Sequence, residues 1–192
     1  IESNTISAPK RFGMSGSERV LLYQTAIETG LRSGELRSLT RGRLFVDRPQ
    51  PFITCKARST KNAKEARQYV QVETATKLDE HVRKKTPGAA VFTLPEDYEM
   101  ADMLRADLND ARTAWIDAAK HDRKEQKRRV ESDFLSVANH EGETLDFHSL
   151  RHTCGAWLAM TGVHPKVVQQ VLRHSAITLT MDTYGHLFPG QE

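Results

Sequence analysis

The spacing of apolar residues changes once along the chain and then changes back, and this constrains the fold more than any single motif. From Ser15 to Leu39, and again from Thr74 onward, apolar residues recur at steps of three and four. Between these stretches lie three short runs rich in β-branched and aromatic residues: Arg43-Leu-Phe-Val-Asp47, Pro51-Phe-Ile-Thr-Cys-Lys56 and Arg67-Gln-Tyr-Val-Gln-Val72. A period near 3.6 builds one helix face, whereas short β-rich runs separated by turn residues build strands. The expected fold class is therefore α+β, mainly helical, with one small three-stranded antiparallel sheet. Lys61-Asn62 falls at the exposed tip of the hairpin joining the second and third strands. A chain of 192 residues, 38% apolar, can bury a core of that kind within one domain.

The helical stretches carry their own boundaries. Residues 1–14 read as an extended polar lead-in or linker interrupted by Pro9. Ser15-Gly-Ser-Glu18 then offers a capping box, and Val20, Ile27 and Leu31 form the stripe of the helix that follows. Gly30 stands where a left-handed terminal residue is wanted, and Ser33 caps a short helix carrying Glu35, Leu36 and Leu39. Thr74 caps a helix containing Leu78 and Val82, which Pro87-Gly88 ends. Met100, Met103, Leu104, Leu108, Ala111, Trp115 and Ala118 share one face of a long helix. The mixed charges of Lys120 to Glu131 read as a solvated helix end or a mobile loop. The last fifth reads as three helices. Phe147, Leu150, Cys154, Trp157 and Leu158 form the first stripe, capped by Thr144 or Asp146 and ended by Gly162. The second starts at Pro165 and buries Val167, Val168, Val171 and Leu172; Thr178 caps the third, which holds Leu179, Met181 and Tyr184.

Composition narrows the function classes. No apolar run is long enough to cross a bilayer, and the N-terminus lacks a signal-peptide pattern, so an intracellular soluble protein without membrane partners is expected. Cys55 and Cys154 have no metal-site spacing and read as buried thiols. The formal net charge is only +3, but eight basic residues between Arg41 and Arg67 face Asp47 and Glu65 alone. Two readings of that patch stay open: phosphate neutralisation along a duplex, or a solvated strand edge.

The candidate chemistry clusters near the C-terminus. His148 and Arg151 leave one helix face near its N-terminus, where backbone amides also favour an anion. Alone, such a pair is as easily a satisfied helix end. Arg32, in Thr29-Gly-Leu-Arg-Ser-Gly-Glu-Leu36, sits at a turn where Glu35 can hold it as a rigid fork for two phosphate oxygens. His174 follows in Leu172-Arg-His-Ser175, and Tyr184 lies ten residues beyond it. The sum is an anion site with a phenol beside it. There is no glycine-rich phosphate loop and no carboxylate cluster to hold Mg²⁺.

In this order, Arg32, Lys61, His148-x-x-Arg151, His174 and Tyr184 resemble the tyrosine recombinases, or phage-type integrases. The resemblance runs from about Ser15 to His186 and matches that family's C-terminal catalytic domain. It implies that Tyr184 attacks a DNA phosphodiester to give a 3′-phosphotyrosyl link without metal or ATP. Arg32 and Arg151 then clamp the nonbridging oxygens with His174 as a third donor, His148 assists removal of the tyrosine proton, and Glu35 positions the site. Lys61 is similar to the hairpin lysine that protonates the leaving 5′-oxygen, with Lys64 as the alternative. Arg41, Arg43, Lys56, Arg58, Lys64 and Arg67 become DNA-backbone contacts, whereas His152 and His186 serve local structure. Residues 15–192 are then the catalytic domain, residues 95–144 a family-variable insertion, and the DNA-binding domain that usually precedes it is absent from this chain.

The implied partners are double-stranded DNA and other recombinase subunits, four on DNA, with a monomer in isolation because the tail after Tyr184 is short. The implied setting is DNA recombination or integration by a mobile element, in the cytoplasm and on the nucleoid when DNA is bound. A type IB topoisomerase-like strand transferase and a DNA-binding module without turnover are the alternatives. A metal phosphoesterase built on His148, His152 and His174 lacks the carboxylates it would need.

Overall fold

The computed structural model describes residues 2–55 and 65–190. Its elements run α1 (Glu2–Ser7), α2 (Gly16–Thr29), α3 (Ser33–Arg37), β1 (Leu44–Phe45), β2 (Phe52–Cys55), β3 (Ala66–Tyr69), α4 (Val72–Val82), α5 (Asp97–Asp117), α6 (Arg123–Glu131), α7 (Ser149–Met160), α8 (Pro165–Leu172) and α9 (Ile177–Tyr184). They fall into two compact units, Ile1–Val20 with Leu94–Phe147, and Leu21–Thr93 with His148–Glu192. No helix among the described residues is long and apolar enough to cross a membrane.

In the first unit, the stretch expected to be extended forms α1 instead. Thr5 is 1% exposed, and a Cβ on Gly16 would overlap the Thr5 carbonyl oxygen, so only glycine lets the two backbones approach this closely. Ser15 accepts the Glu18 amide at 3.2 Å, as the capping box predicts. Met100, Met103, Leu104, Leu108 and Ala111 form the buried face of α5, joined by a carboxylate, Asp107. That charge is buried against Arg19, whose Nε and Nη2 donate to it at 2.8 and 3.0 Å while its Nη1 reaches the Met14 carbonyl at 2.9 Å. Beyond Ala111 the expected stripe weakens: Trp115 is half-buried, packing on Phe134 at 4.8 Å, and Ala118 is exposed. The charged run forms α6, capped by Asp122, which accepts the Lys124 and Glu125 amides.

In the second unit, α2 is more buried than one stripe predicts. Leu21, Leu22, Tyr23 and Ala26 are all buried, and the hydroxyls of Thr25 and Thr29 bond back to the carbonyls of Leu21 and Thr25. The sheet is antiparallel, as expected, and its strands run in the order β1-β2-β3, with Leu44 opposite Ile53 and Cys55 opposite Ala66. Val72 belongs to α4 rather than to a strand. Thr74 does not cap that helix: its hydroxyl donates to Glu28 at 2.6 Å, and the other Glu28 oxygen accepts the Gln71 amide at 3.0 Å, so the carboxylate comes from α2.

The last three helices follow the expected order, but their caps and faces differ in detail. His148 precedes α7 in place of Thr144 or Asp146, and Ala176 precedes α9 in place of Thr178. The buried face of α7 is Leu150, Arg151, Cys154, Gly155 and Ala159. Trp157 lies roughly 200° round the helix from Gly155 and is 57% exposed, not part of the core. Val167 also turns outward. Cys154, Ala159, Val168, Leu172, Tyr184 and Phe188 close a hydrophobic cluster around these helices.

Candidate active site

All the residues described below lie in the second unit. Helix α2 stops at Gly30, whose φ of +60° a side chain would resist. The turn that follows sets Arg32 in extended backbone just before α3, the position expected for Ser33. The Arg32 amide donates to the buried carboxylate of Glu35 at 2.9 Å, and its Nη1 reaches the other oxygen at 3.4 Å. Glu35 therefore holds Arg32 by backbone and side chain together. It also accepts from Arg173, a residue for which the sequence pattern implies no role.

Arg151 is 3% exposed. Its Nη1 donates to the Gly30 carbonyl and its Nη2 to the Leu172 carbonyl. These two bonds lock the guanidinium between the end of α2 and the end of α8, using two of its five N–H groups. Burial is the main force lowering its pKa to about 10, helped by the like charges of Arg32 and Arg173. At neutral pH it remains a cation.

His174 follows Arg173, and its Nδ1 is 2.9 Å from the Thr180 hydroxyl. Burial, then the fields of Arg151, Arg32, His152 and Arg173, pushes its pKa down to about 4, so the imidazole is neutral at pH 7.

Tyr184 ends α9 and is 3% exposed. Its ring lies parallel to that of His174, with centroids 6.5 Å apart. Its hydroxyl is 3.0 Å from Nδ1 of His152. Burial raises the phenol pKa, and Arg151 opposes that rise. The resting phenol is thus neutral and enclosed.

The structure therefore brings together Arg32, Glu35, Arg151, His174 and Tyr184. His148 stands one step removed, its ring 5.0 Å from that of His152 and edge-on to it. The residue in contact with the phenol is His152, for which the sequence pattern implies local structure alone. The signal that points to it is its spacing: His152 is four residues after His148, on the same helix face. Lys61, Lys56, Arg58 and Lys64 lie outside the described residues. Of the other basic residues expected to contact DNA, Arg41 donates to the Lys85 carbonyl, Arg43 pairs with Glu65 at 2.9 Å, and Arg67 lies 4.3 Å over the Phe52 ring. Each has an intramolecular partner.

Residues 14–190 match the profile of the Phage integrase family. A tyrosine recombinase XerC-like protein of Caldanaerobacter subterraneus subsp. tengcongensis is 25% identical over 188 residues, covering 93% of this chain and 48% of that protein. The chain thus spans about half the length of this curated relative. Among solved structures, the XerH site-specific recombinase bound to a palindromic difH substrate matches with a TM-score of 0.63 at 15% identity, over 98% of this chain and 47% of XerH. The catalytic domain of bacteriophage HP1 integrase matches with a TM-score of 0.52 at 23% identity, over 88% of this chain and 75% of that one.

Proposed function

This chain belongs to the phage integrase family, and on that premise we propose that it is the catalytic portion of a site-specific DNA recombinase. It cleaves and rejoins DNA strands through a 3′-phosphotyrosyl intermediate, using neither metal nor nucleotide. The observation that carries the reading is the mutual proximity of two fixed guanidiniums, Arg32 and Arg151, with the neutral imidazole of His174 and the phenol of Tyr184.

In this mechanism, Arg32, Arg151 and His174 hold the nonbridging oxygens of one phosphodiester. In the tautomer whose Nδ1 accepts from the Thr180 hydroxyl, 2.9 Å away, His174 keeps an N–H on Nε2 for the phosphate. Donors held in place before the reaction stabilise the charge that gathers on the equatorial oxygens, each contributing roughly 3–4 kcal/mol. The Tyr184 oxygen attacks phosphorus, the bond from phosphorus to the 5′-oxygen breaks, and the phenol proton passes to a histidine. His152 is already in contact with that hydroxyl, and His148 stands behind it. Lys61 supplies the proton to the leaving 5′-oxygen. Rejoining reverses these steps, because the phosphotyrosyl ester retains the energy of the broken bond. Double-stranded DNA is the substrate, and further recombinase subunits assemble on it.

The test is a pool of nicked duplexes that trap the covalent adduct, with EDTA present. Wild-type chain should form a DNA-linked band. Tyr184→Phe should lose the band and keep noncovalent binding. An adduct that survives in Tyr184→Phe overturns the assignment. A second reading, DNA binding without turnover, draws on the enclosure of Tyr184, which is 3% exposed at rest: a phenol that stays there is not presented to a phosphate. Binding to every duplex in the pool with no adduct would favour that reading.

A further inference from the structure

Arg173 has no part in the mechanism above, yet its placement near the site is tightly constrained. It caps α8 with φ 54° and ψ 42°, a left-handed conformation that favours glycine. Its side chain is only 9% exposed. Its Nη2 donates to Oε2 of Glu35, its Nη1 reaches the Val171 carbonyl at 3.2 Å, and its Nε is buried with no hydrogen-bond partner. A chain that retains an unfavourable backbone conformation and an unsatisfied donor gains something from that guanidinium.

The gain follows from Glu35, which is 2% exposed. A buried carboxylate needs a cationic partner, and losing one is costly. Arg32 is the partner that sequence order suggests, but its Nη1 stands at 3.4 Å from Oε1, the long end of the hydrogen-bond range. Arg173 makes the close contact, on the same oxygen that accepts the Arg32 amide. If Arg32 were the sole cation on Glu35, its charge would be cancelled where a phosphate must be bound. We infer that Arg173 is a positioning residue: it neutralises Glu35 and so leaves the Arg32 guanidinium free to take a phosphate oxygen. The lowered pKa values of Arg151 and His174, to which Arg173 contributes, place its charge on the same site. The inference rests on the phosphate-binding reading given above.

A two-residue cycle in the whole chain tests it. Arg173→Gly suits the left-handed backbone and removes the cation; Glu35→Gln removes the charge that Arg173 offsets. Two readouts are taken on each variant: the rate of covalent adduct formation on nicked duplex, and the thermal stabilisation produced by inorganic sulfate. A hydrogen bond to a charged group corresponds to roughly a 10- to 100-fold effect. Arg173→Gly is therefore expected to lower the adduct rate by about that factor and to raise the sulfate concentration needed for half-maximal stabilisation about 10-fold. In the Glu35→Gln background the same change should cost less than about threefold. Arg173→Lys keeps the charge and should stay within about threefold of wild type on both readouts; it serves as the test should the glycine variant not fold. An unchanged rate in Arg173→Gly, an equal loss on the wild-type and Glu35→Gln backgrounds, or a lysine variant as poor as the glycine one overturns the inference. If wild type neither forms an adduct nor responds to sulfate, the phosphate reading falls as well. An active wild type with an indifferent Arg173→Gly sinks only the role of Arg173.

Discussion

Gly155 lies in the buried face of α7, where Tyr184 packs against it, so replacing it with alanine tests the resting position of the phenol. An ideal Cβ at Gly155 would lie 2.5 Å from Cζ and 2.7 Å from the hydroxyl oxygen of Tyr184, and 2.8 Å from Cδ1 of Leu172. Comfortable carbon contacts begin about 1 Å further out. Alanine in a helix interior gains about 1 kcal/mol over glycine. Against that gain, either the helices separate, which costs about 1–3 kcal/mol, or Tyr184 leaves. Departure of the ring forfeits about 1.5–3 kcal/mol of apolar burial and about 1 kcal/mol for the bond to His152. We expect Gly155→Ala to destabilise the chain by up to roughly 2 kcal/mol after the helix gain is credited, read from urea unfolding followed by circular dichroism. On a Tyr184→Ala background the two nearest atoms are gone and the flexible end of Leu172 can give way, so the same substitution should be neutral or stabilising by up to about 1 kcal/mol. The coupling between the two sites is then about 2 kcal/mol. An identical effect on both backgrounds would refute the packing described here.

Further expectations follow from the same contacts. Gly30→Ala forces a side chain into φ +60° and brings a Cβ to 2.9 Å from Leu172 Cδ2; it should destabilise by more than about 1 kcal/mol, and Gly30→Asn, which tolerates that backbone, should destabilise less. Folded His174 protonates at about 4, whereas an unfolded histidine protonates near its ordinary value of about 6.5. Between those values the unfolded chain binds more protons, so stability should fall as pH drops from about 7 towards 4, and His174→Gln should flatten that part of the unfolding profile. Asp107→Ala leaves Arg19 buried without its carboxylate and should cost about 3–5 kcal/mol in a thermal or urea melt. His152→Phe should slow adduct formation while leaving noncovalent DNA binding in a gel-shift assay unchanged; equal rates would remove His152 from the proton path.

Much of the architecture is legible in the sequence because it depends on local spacing. The three strands and the long α5 each follow from which residues are apolar at which step, and such patterns are short-range. The departures from expectation share one cause. Thr74, Thr144, Asp146 and Thr178 are all plausible caps by residue type, but Glu28 from another helix caps α4, and α7 and α9 begin elsewhere. Trp157 is expected in the core because large apolar residues are usually buried, whereas α7 is turned so that a charged residue, Arg151, and a glycine occupy its buried face. Residues 2–7 are polar and form a helix because Gly16 allows close approach, a tertiary fact with no local signature.

The site divides in the same way. Residue order and the family resemblance it carries single out Arg32, Glu35, Arg151, His174 and Tyr184 as candidates, since the proposed phosphate binding needs fixed cations and the proposed transfer needs a nucleophile. Which of their atoms are already engaged is settled by contacts between distant segments. Arg151 meets the Gly30 carbonyl 121 positions away, and Arg173 meets Glu35 across 138. No local pattern reports such distances. Burial also lowers the His174 pKa and raises that of Tyr184. The sequence therefore named the candidate residues, whereas tertiary packing decided that the His174 imidazole is neutral and that the phenol rests enclosed beside His152.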